Sequence, residues 1–363
     1  MRMTTSAAAV AATLGLLSMN TQASTETLAS WADSTTLGGK SYIDFTHIEN
    51  KSDGTKVDPT GNGADVKRFY VIIDHVFNEM WSADLTTDFN YVSNDGETQF
   101  YVKKAYLQAK LSDAAVLRAG SSDLPWVPYV ENLYGYRYVE NTLIDRLKFG
   151  TSADWGLHAK GKLFNGMVNY AASAVNGNGY KNPSRSKSVD FAGRIGIEPI
   201  KGLHLAGDFY SGKLGQDTQT GPSTRTANRW DAVLAYVAPK FRVGAEYFRA
   251  DDWKTSNNNA VLSSNPSDSA DGYSVWGSVI PMARVSLFAR YDSAKPNKDT
   301  NSSLEDTYYN VGVSYAAYKN VDMALVYKHE KVDNGTISTS NGTIGGTNDG
   351  TYDEIGVWSQ LKF

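Results

Sequence analysis

The chain contains no cysteine, so neither a disulfide framework nor a thiolate metal site is available to it. Its five histidines, His47, His75, His158, His204 and His329, stand far apart. None sits beside a nucleophile in a local motif or at metal-ligand spacing. The sequence signatures of hydrolytic and metal-dependent catalysis are therefore missing, and no cofactor or metal is expected. An excess of positive charge is missing too. The formal net charge is −4, without the clustered basic surface that nucleic acid requires of a partner. Nor does any segment supply the roughly 20 consecutive apolar residues that a helix needs to cross a bilayer. Stretches such as Asn334-Gly335-Thr336 are Gly/Asn loop chemistry rather than a phosphate cradle.

What is present is tyrosine, tryptophan and glycine in quantity (22, 8 and 32 residues) at a mean hydropathy of −0.40. A soluble β-rich protein and a transmembrane barrel share these averages, because only alternate residues of a barrel meet lipid. Periodicity separates them. Phe69, Val71 and Ile73 alternate with Arg68, Tyr70 and Asp74; Ala83, Leu85, Thr87 and Phe89 alternate with Asp84, Thr86, Asp88 and Asn90. A period of two sends the two sets to opposite faces of a strand. Sixteen such segments start near residues 40, 66, 81, 100, 115, 152, 167, 188, 203, 229, 241, 272, 284, 307, 321 and 352. The segment near 229 is apolar on both faces, which leaves its phase unreadable.

The connectors carry more information than any single strand. Tight turns centre on Asn78-Glu79, Asp113-Ala114, Asn165-Gly166, Ile200-Lys201, Pro239-Lys240, Pro281-Met282 and Lys319-Asn320. They alternate with mostly longer polar connectors, such as 50–63, 176–187, 213–228, 251–270, 293–306 and 331–350, and a brief one near Asn94-Asp95-Gly96. Short periplasmic turns and long external loops are the habit of outer-membrane barrels, and a soluble sandwich has no reason to sort its loops this way. The expected fold is all-β: a 16-stranded antiparallel transmembrane β-barrel. Sixteen strands enclose a cylinder too wide for side chains to fill, so its lumen holds water.

Both ends agree. Met1-Arg2-Met3, the apolar run Ala7 to Leu17 and the small residues of Thr21-Gln22-Ala23 read as an export signal, residues 1–23, cleaved after Ala23. Residues 24–38 follow as a short periplasmic segment, and 39–363 as the barrel. Ile355, Val357, Leu361 and Phe363 share one face of the final segment. A last strand ending in an aromatic residue resembles the signal read by the bacterial barrel-assembly machinery, so Phe363 is expected to meet that partner and the outward faces are expected to meet outer-membrane lipid.

The connector 121–149 differs from its peers. It carries Pro125, Trp126, Pro128 and the tyrosines Tyr129, Tyr134, Tyr136 and Tyr138, where the other loops are Asn, Ser, Gly and Asp. Apolar rings need somewhere to pack, and the barrel interior is the available place. This third long connector is thus expected to fold inward as a constriction, with Asp123, Trp126, Glu131, Tyr136, Glu140 and Asp145 as its acidic and aromatic lining. Arg137, Arg146 and Lys148 from the same stretch, with Arg68, Lys104, Lys110, Arg118 and Lys160 from the strands, are expected to form the basic lining. Arg146 and Lys148 share the face of His158, Lys160 and Lys162 if one strand runs unbroken through Gly150. Cationic rings in a pore attract anions and acidic rings attract cations, so the expectation is a basic arc on strands two and four to six facing an acidic, aromatic inner loop.

Residues Asp65-Val66-Lys67-Arg68-Phe69-Tyr70, leading to Trp81-Ser82-Ala83-Asp84-Leu85-Thr86-Thr87-Asp88-Phe89, resemble the phosphate-selective porin O/P family. So do Lys103-Lys104-Ala105-Tyr106-Leu107-Gln108-Ala109-Lys110 and Leu117-Arg118-Ala119-Gly120 with Pro125 shortly after. The resemblance is strongest over 40–215. It implies a sixteen-stranded, usually trimeric outer-membrane channel passing small ions or solutes by passive diffusion, with anions such as phosphate among them. Two other functions compete: an adhesin or structural barrel acting through its long loops, and a barrel lipase.

Overall fold

The computed structural model describes residues 34–92, 97–254 and 259–363. The expected export signal, residues 24–33 of the expected periplasmic segment, and the connector Asn94-Asp95-Gly96 lie outside the described residues. Twenty strands are described. In chain order they are β1 (Thr35–Ser52), β2 (Thr55–Val76), β3 (Trp81–Val92), β4 (Glu97–Ser112), β5 (Ala115–Asp123), β6 (Ala153–Leu163) and β7 (Val168–Val175). Next come β8 (Asp190–Ile197), β9 (Leu203–Gly212), β10 (Ala227–Val237), β11 (Phe241–Asp251) and the two-residue strands β12 (Trp253–Lys254) and β13 (Asn259–Ala260). The last are β14 (Ser269–Met282), β15 (Val285–Lys295), β16 (Glu305–Tyr318), β17 (Val321–Asp333), β18 (Thr336–Thr339), β19 (Gly342–Gly345) and β20 (Asp349–Lys362).

Sixteen of these close into one antiparallel barrel in sequence order, with β12–β13 and β18–β19 as separate hairpins on the long-loop side. Closure is made by β1 against β20, from Lys40 opposite Lys362 to Ser52 opposite Gly350. A closed ladder leaves no backbone donor or acceptor on an open edge, the condition for a sheet to exist in hydrocarbon. Its outward face carries Phe45, Leu107, Leu157, Ile195, Leu234, Val275, Val311, Leu325 and Ile355, all exposed. The inward face carries Asp44, Asp88, Arg194, Asp231, Glu246, Arg290 and Lys328. The alternation of the sequence is the division between the two.

Two connectors differ from the sequence expectation. The stretch 50–63 is not a loop: β1 and β2 stay paired out to Ser52 opposite Thr55, so only Asp53-Gly54 turns. The Gly/Asn/Pro content that suggests a loop is absorbed by a register shift between Ile48 and Asn50. The turn expected at Pro281-Met282 falls at residues 283–284, because Met282 still pairs with Val285.

Where β5 hands the chain to the inner loop, it approaches β4 and β6 closely. Gly120 opposes Gly156, has φ +127°, and a Cβ on it would sit 2.1 Å from the Ala105 carbonyl oxygen. Gly120→Val should therefore weaken the barrel by about 1–3 kcal/mol from backbone strain alone, before any clash is counted. A urea titration of the detergent-folded protein checks this; an unchanged midpoint would mean the strands can part there at no cost.

Candidate functional site

The connector between Asp123 and Ala153 turns into the barrel. Helix α1 (Val127–Tyr134) starts with proline in its first turn, and a second, four-residue helix, α2 (Leu143–Arg146), follows. In α1 the buried Val127, Val130, Leu133 and Tyr134 fall on one face, while Glu131 and Asn132 fall on the other. Gly135 ends the helix in the left-handed conformation (φ +84°), its N–H bonded to the Glu131 carbonyl. The buried face rests on the inner wall of β10, β11, β14 and β15, among Val233, Ala235, Phe248, Trp276 and Ala294. Each large side chain buried this way contributes about 1.5–3 kcal/mol. This is why β10 reads as apolar on both faces: Leu234 meets lipid and Val233 meets the loop.

Polar anchors hold the loop along the same wall. Trp126 Nε1 donates to Glu246 at 2.8 Å, and Arg242 donates to the Asn132 and Leu133 carbonyls at 2.9 and 3.1 Å. The Tyr136 ring stacks on Phe288 at 4.1 Å, while its hydroxyl shares a hydrogen bond with Ser286. Tyr138 meets Ser314 at 2.9 Å. Glu140 pairs with Lys328 at 3.3 Å, and Arg290 donates to the Asn141 carbonyl. Burial opposes ionisation of Glu140, but Lys328, the Ser340 hydroxyl and the Asn141 N–H outweigh it and hold its carboxyl at about 2. Arg146 completes the set. Its guanidinium meets Asp292 at 2.9 Å, Asp306 at 2.6 Å and Glu330 at 2.6 Å, all without exposed side-chain surface, and lies over the Tyr308 ring.

With the loop held to one wall, the open side of the constriction is bounded by β1–β6. Arg68 reaches Asp88 at 3.7 Å, and Tyr180, from the connector after β7, donates to Asp88 at 2.6 Å. Lys103 donates to Tyr70 at 3.3 Å and lies over the Tyr70 ring. Lys104 pairs with Asp123 at 2.6 Å. Facing them, Arg137 bridges Glu131 at 2.5 Å and Asp145 at 3.4 Å on the loop. Burial raises the Asp145 carboxyl above its ordinary range, Arg137 opposing. The two sides are close enough for direct charge interaction: Glu131 acts on Lys103 and Lys40, and Asp145 on Arg68 and Lys181. Among the described residues, Lys40, Lys103, Arg118, Lys160 and Lys181 form no ion pair.

The expected lining residues thus separate into three groups. Arg68, Lys104, Asp123, Glu131, Arg137 and Asp145 come together at the constriction, with Arg118 and Lys160 beside them on β5 and β6. Trp126, Tyr136, Glu140 and Arg146 do not line it; they are pins between loop and wall. The unbroken strand through Gly150 does not exist, since α2 and a turn intervene before Ala153. Lys148 accordingly points to Ser338 of the external β18–β19 hairpin, at 2.6 Å. Lys110 lies at the tight-turn end, paired with Asp113 at 2.9 Å.

Sequence reasoning misses Lys103, Lys67, Lys40 and Lys181. The first two sit on one-residue bulges, between Val102 and Lys104 opposite Thr86-Thr87, and between Val66 and Arg68 opposite Tyr42-Ile43. A bulge puts two neighbours on the same face, so strict alternation assigns one of them wrongly. Two adjacent basic residues within an alternating segment are the available signal.

No family model and no curated protein matches the chain. Solved structures do. The barrel is similar to an anion-selective porin from Comamonas acidovorans (TM-score 0.66, 11% identity, covering 91% of this chain and 99% of that one). It is similar also to the outer membrane channel DcaP of Acinetobacter baumannii (TM-score 0.62, 12% identity, 91% and 97%). A third is OmpT, an outer membrane protein of Vibrio cholerae, in its trimer form (TM-score 0.61, 13% identity, 91% and 99%). The fold is that of an outer-membrane porin. At these identities the likeness of the porin barrels extends to architecture, and the chemistry of the constriction is set by this chain's own residues.

Proposed function

We propose that the protein is an outer-membrane porin giving passive diffusion of small hydrophilic solutes through a water-filled barrel, with anions favoured. The observation that carries the preference is the set of cations on the β1–β6 side, Lys40, Lys103, Arg118 and Lys160, without carboxylate partners among the described residues. The acids opposite are shared with Arg137. Cations without a carboxylate partner leave positive potential along this side of the lumen, and that concentrates anions. Phosphate as a particular solute and membership of the O/P family rest on the motifs quoted above. Export by cleavage after Ala23, assembly into a homotrimer and recognition of Phe363 by the assembly machinery belong to the same proposal.

The test is planar-bilayer electrophysiology under a potassium chloride gradient, followed by phosphate in place of chloride. The expected record is an ohmic unit current with a zero-current potential on the chloride side. Arg118→Ala combined with Lys160→Ala should move that potential toward potassium. Absence of unit current from correctly folded protein would overturn the proposal. A potassium-side potential in the native protein would overturn its sign.

A further inference from the structure

Beside the constriction, the loop and the barrel wall enclose a second space. Strand β7 lines it with the small residues Ala171, Ala172 and Ser173, which leave a half-enclosed recess of about 220 Å³. Helix α1 roofs it with Pro128 and Tyr129. Arg118 on β5, Lys160 on β6 and Arg194 on β8 surround it.

The recess has two kinds of lining. One is apolar, formed by Leu124, Pro125, Pro128 and Ala171. The other is cationic, and its single lining carboxylate, Asp123, is already matched by Lys104 at 2.6 Å. Arg194 lies 3.9 Å from the centre of the Tyr129 ring and is fixed by the Pro125 carbonyl at 2.9 Å. Guanidinium on ring makes a flat platform, against which another ring can stack. Arg118 is held in the same way, over Tyr106 at 4.2 Å and donating to Ser122 at 2.9 Å. Lys160 is exposed into the lumen, with no ion pair among the described residues.

We infer that this recess binds small aromatic monocarboxylates, the ring between Tyr129 and Ala171 and the carboxylate toward Arg118 and Lys160. An inorganic anion would leave the apolar lining uncovered, and a neutral hydrocarbon would strip water from the cations without replacing it. Size agrees: a cavity of about 150 Å³ takes benzene, which leaves room here for a carboxylate. The inference deepens the porin reading, and rests on it to the extent that the lumen must be open to water.

The experiment is isothermal titration of benzoate, acetate, inorganic phosphate and benzyl alcohol into the full-length barrel in detergent. Benzoate is expected to bind saturably, with each of the other three weaker by about tenfold or more. Lys160→Met should weaken benzoate by about fivefold, whereas Lys201→Met, at an exposed tight turn, should leave it unchanged. Tyr129→Ala should bring benzoate down to the affinity of acetate. Equal affinities for benzoate and acetate in the native protein, or an unaltered Lys160→Met, would overturn the assignment. Titration needs no current, so the two ideas fail separately: benzoate binding without conduction sinks the channel, and conduction without benzoate binding sinks the recess.

Discussion

Replacing Arg146 by methionine should both destabilise the barrel and change its current. The guanidinium is the common partner of Asp292, Asp306 and Glu330, none of which has exposed side-chain surface. Arg290 also reaches Asp292, at 2.7 Å, so that carboxylate keeps a partner. Among the described residues Asp306 and Glu330 have no other cation within ion-pair distance, and removing one member of a buried ionic cluster costs about 3–5 kcal/mol. A lysine in the same place meets one carboxylate and should recover little, because its ammonium lacks the planar fork. The unfolding midpoint in urea reads the loss. Arg146→Met with Asp306→Asn should regain part of it, since the second change removes a charge left stranded by the first. The current follows from position: α2 lies in the second half of the loop, after the Trp126 anchor and helix α1. Without its pin the loop should fluctuate, giving a noisier and larger unit conductance. Native stability together with a native current trace would show that the apolar face of α1 and the remaining polar anchors hold the loop without Arg146.

Reversing the charge at Lys103 should have the largest effect on selectivity. Lys103 is buried between the rings of Tyr70 and Tyr180, with Glu131 across the opening and no carboxylate in ion-pair contact. Lys103→Glu would add a third acid to the neighbourhood of Glu131 and Asp88. The zero-current potential should move toward the cation side by about 20 mV or more, out of the roughly 59 mV that a tenfold gradient allows. Lys103→Gln should give a smaller shift of the same sign. Lys110→Glu, at the tight-turn end, should give almost none. If Lys110→Glu moves the potential as far as Lys103→Glu does, the ions are being selected at the tight-turn mouth.

The parts of this molecule that can be read from the chain are those governed by neighbours in sequence. Alternation within β3, β15 and β16 states which face meets lipid, and the contrast between turns such as Lys319-Asn320 and the long polar connectors states which end is which. The inner loop is legible from composition alone, because Trp126 and four tyrosines require cover that an external loop lacks. What is illegible depends on distant segments. The carboxylates around Arg146 come from β15, β16 and β17, 146 to 184 residues away, and nothing near Arg146 distinguishes a pin from a lining residue. Lys103 is hidden for a different reason: its register is set by pairing with β3, and the shift between Thr86 and Thr87 has no mark in β4 beyond the Lys103-Lys104 pair. Strand β10 is ambiguous because one face is greased by the loop and the other by the bilayer.

The bulges at Lys67 and Lys103 also bear on how such a wall could change over generations. Elsewhere in a strand, gaining or losing one codon would turn every following side chain inside out, carrying charges into lipid and hydrocarbon into water. At a bulge the extra residue is opposed by nothing, so its loss leaves the flanking halves in phase and subtracts a single positive charge from the inner wall. These two positions are where the ionic character of the inner wall can drift in steps of one while the coat facing the bilayer is inherited intact.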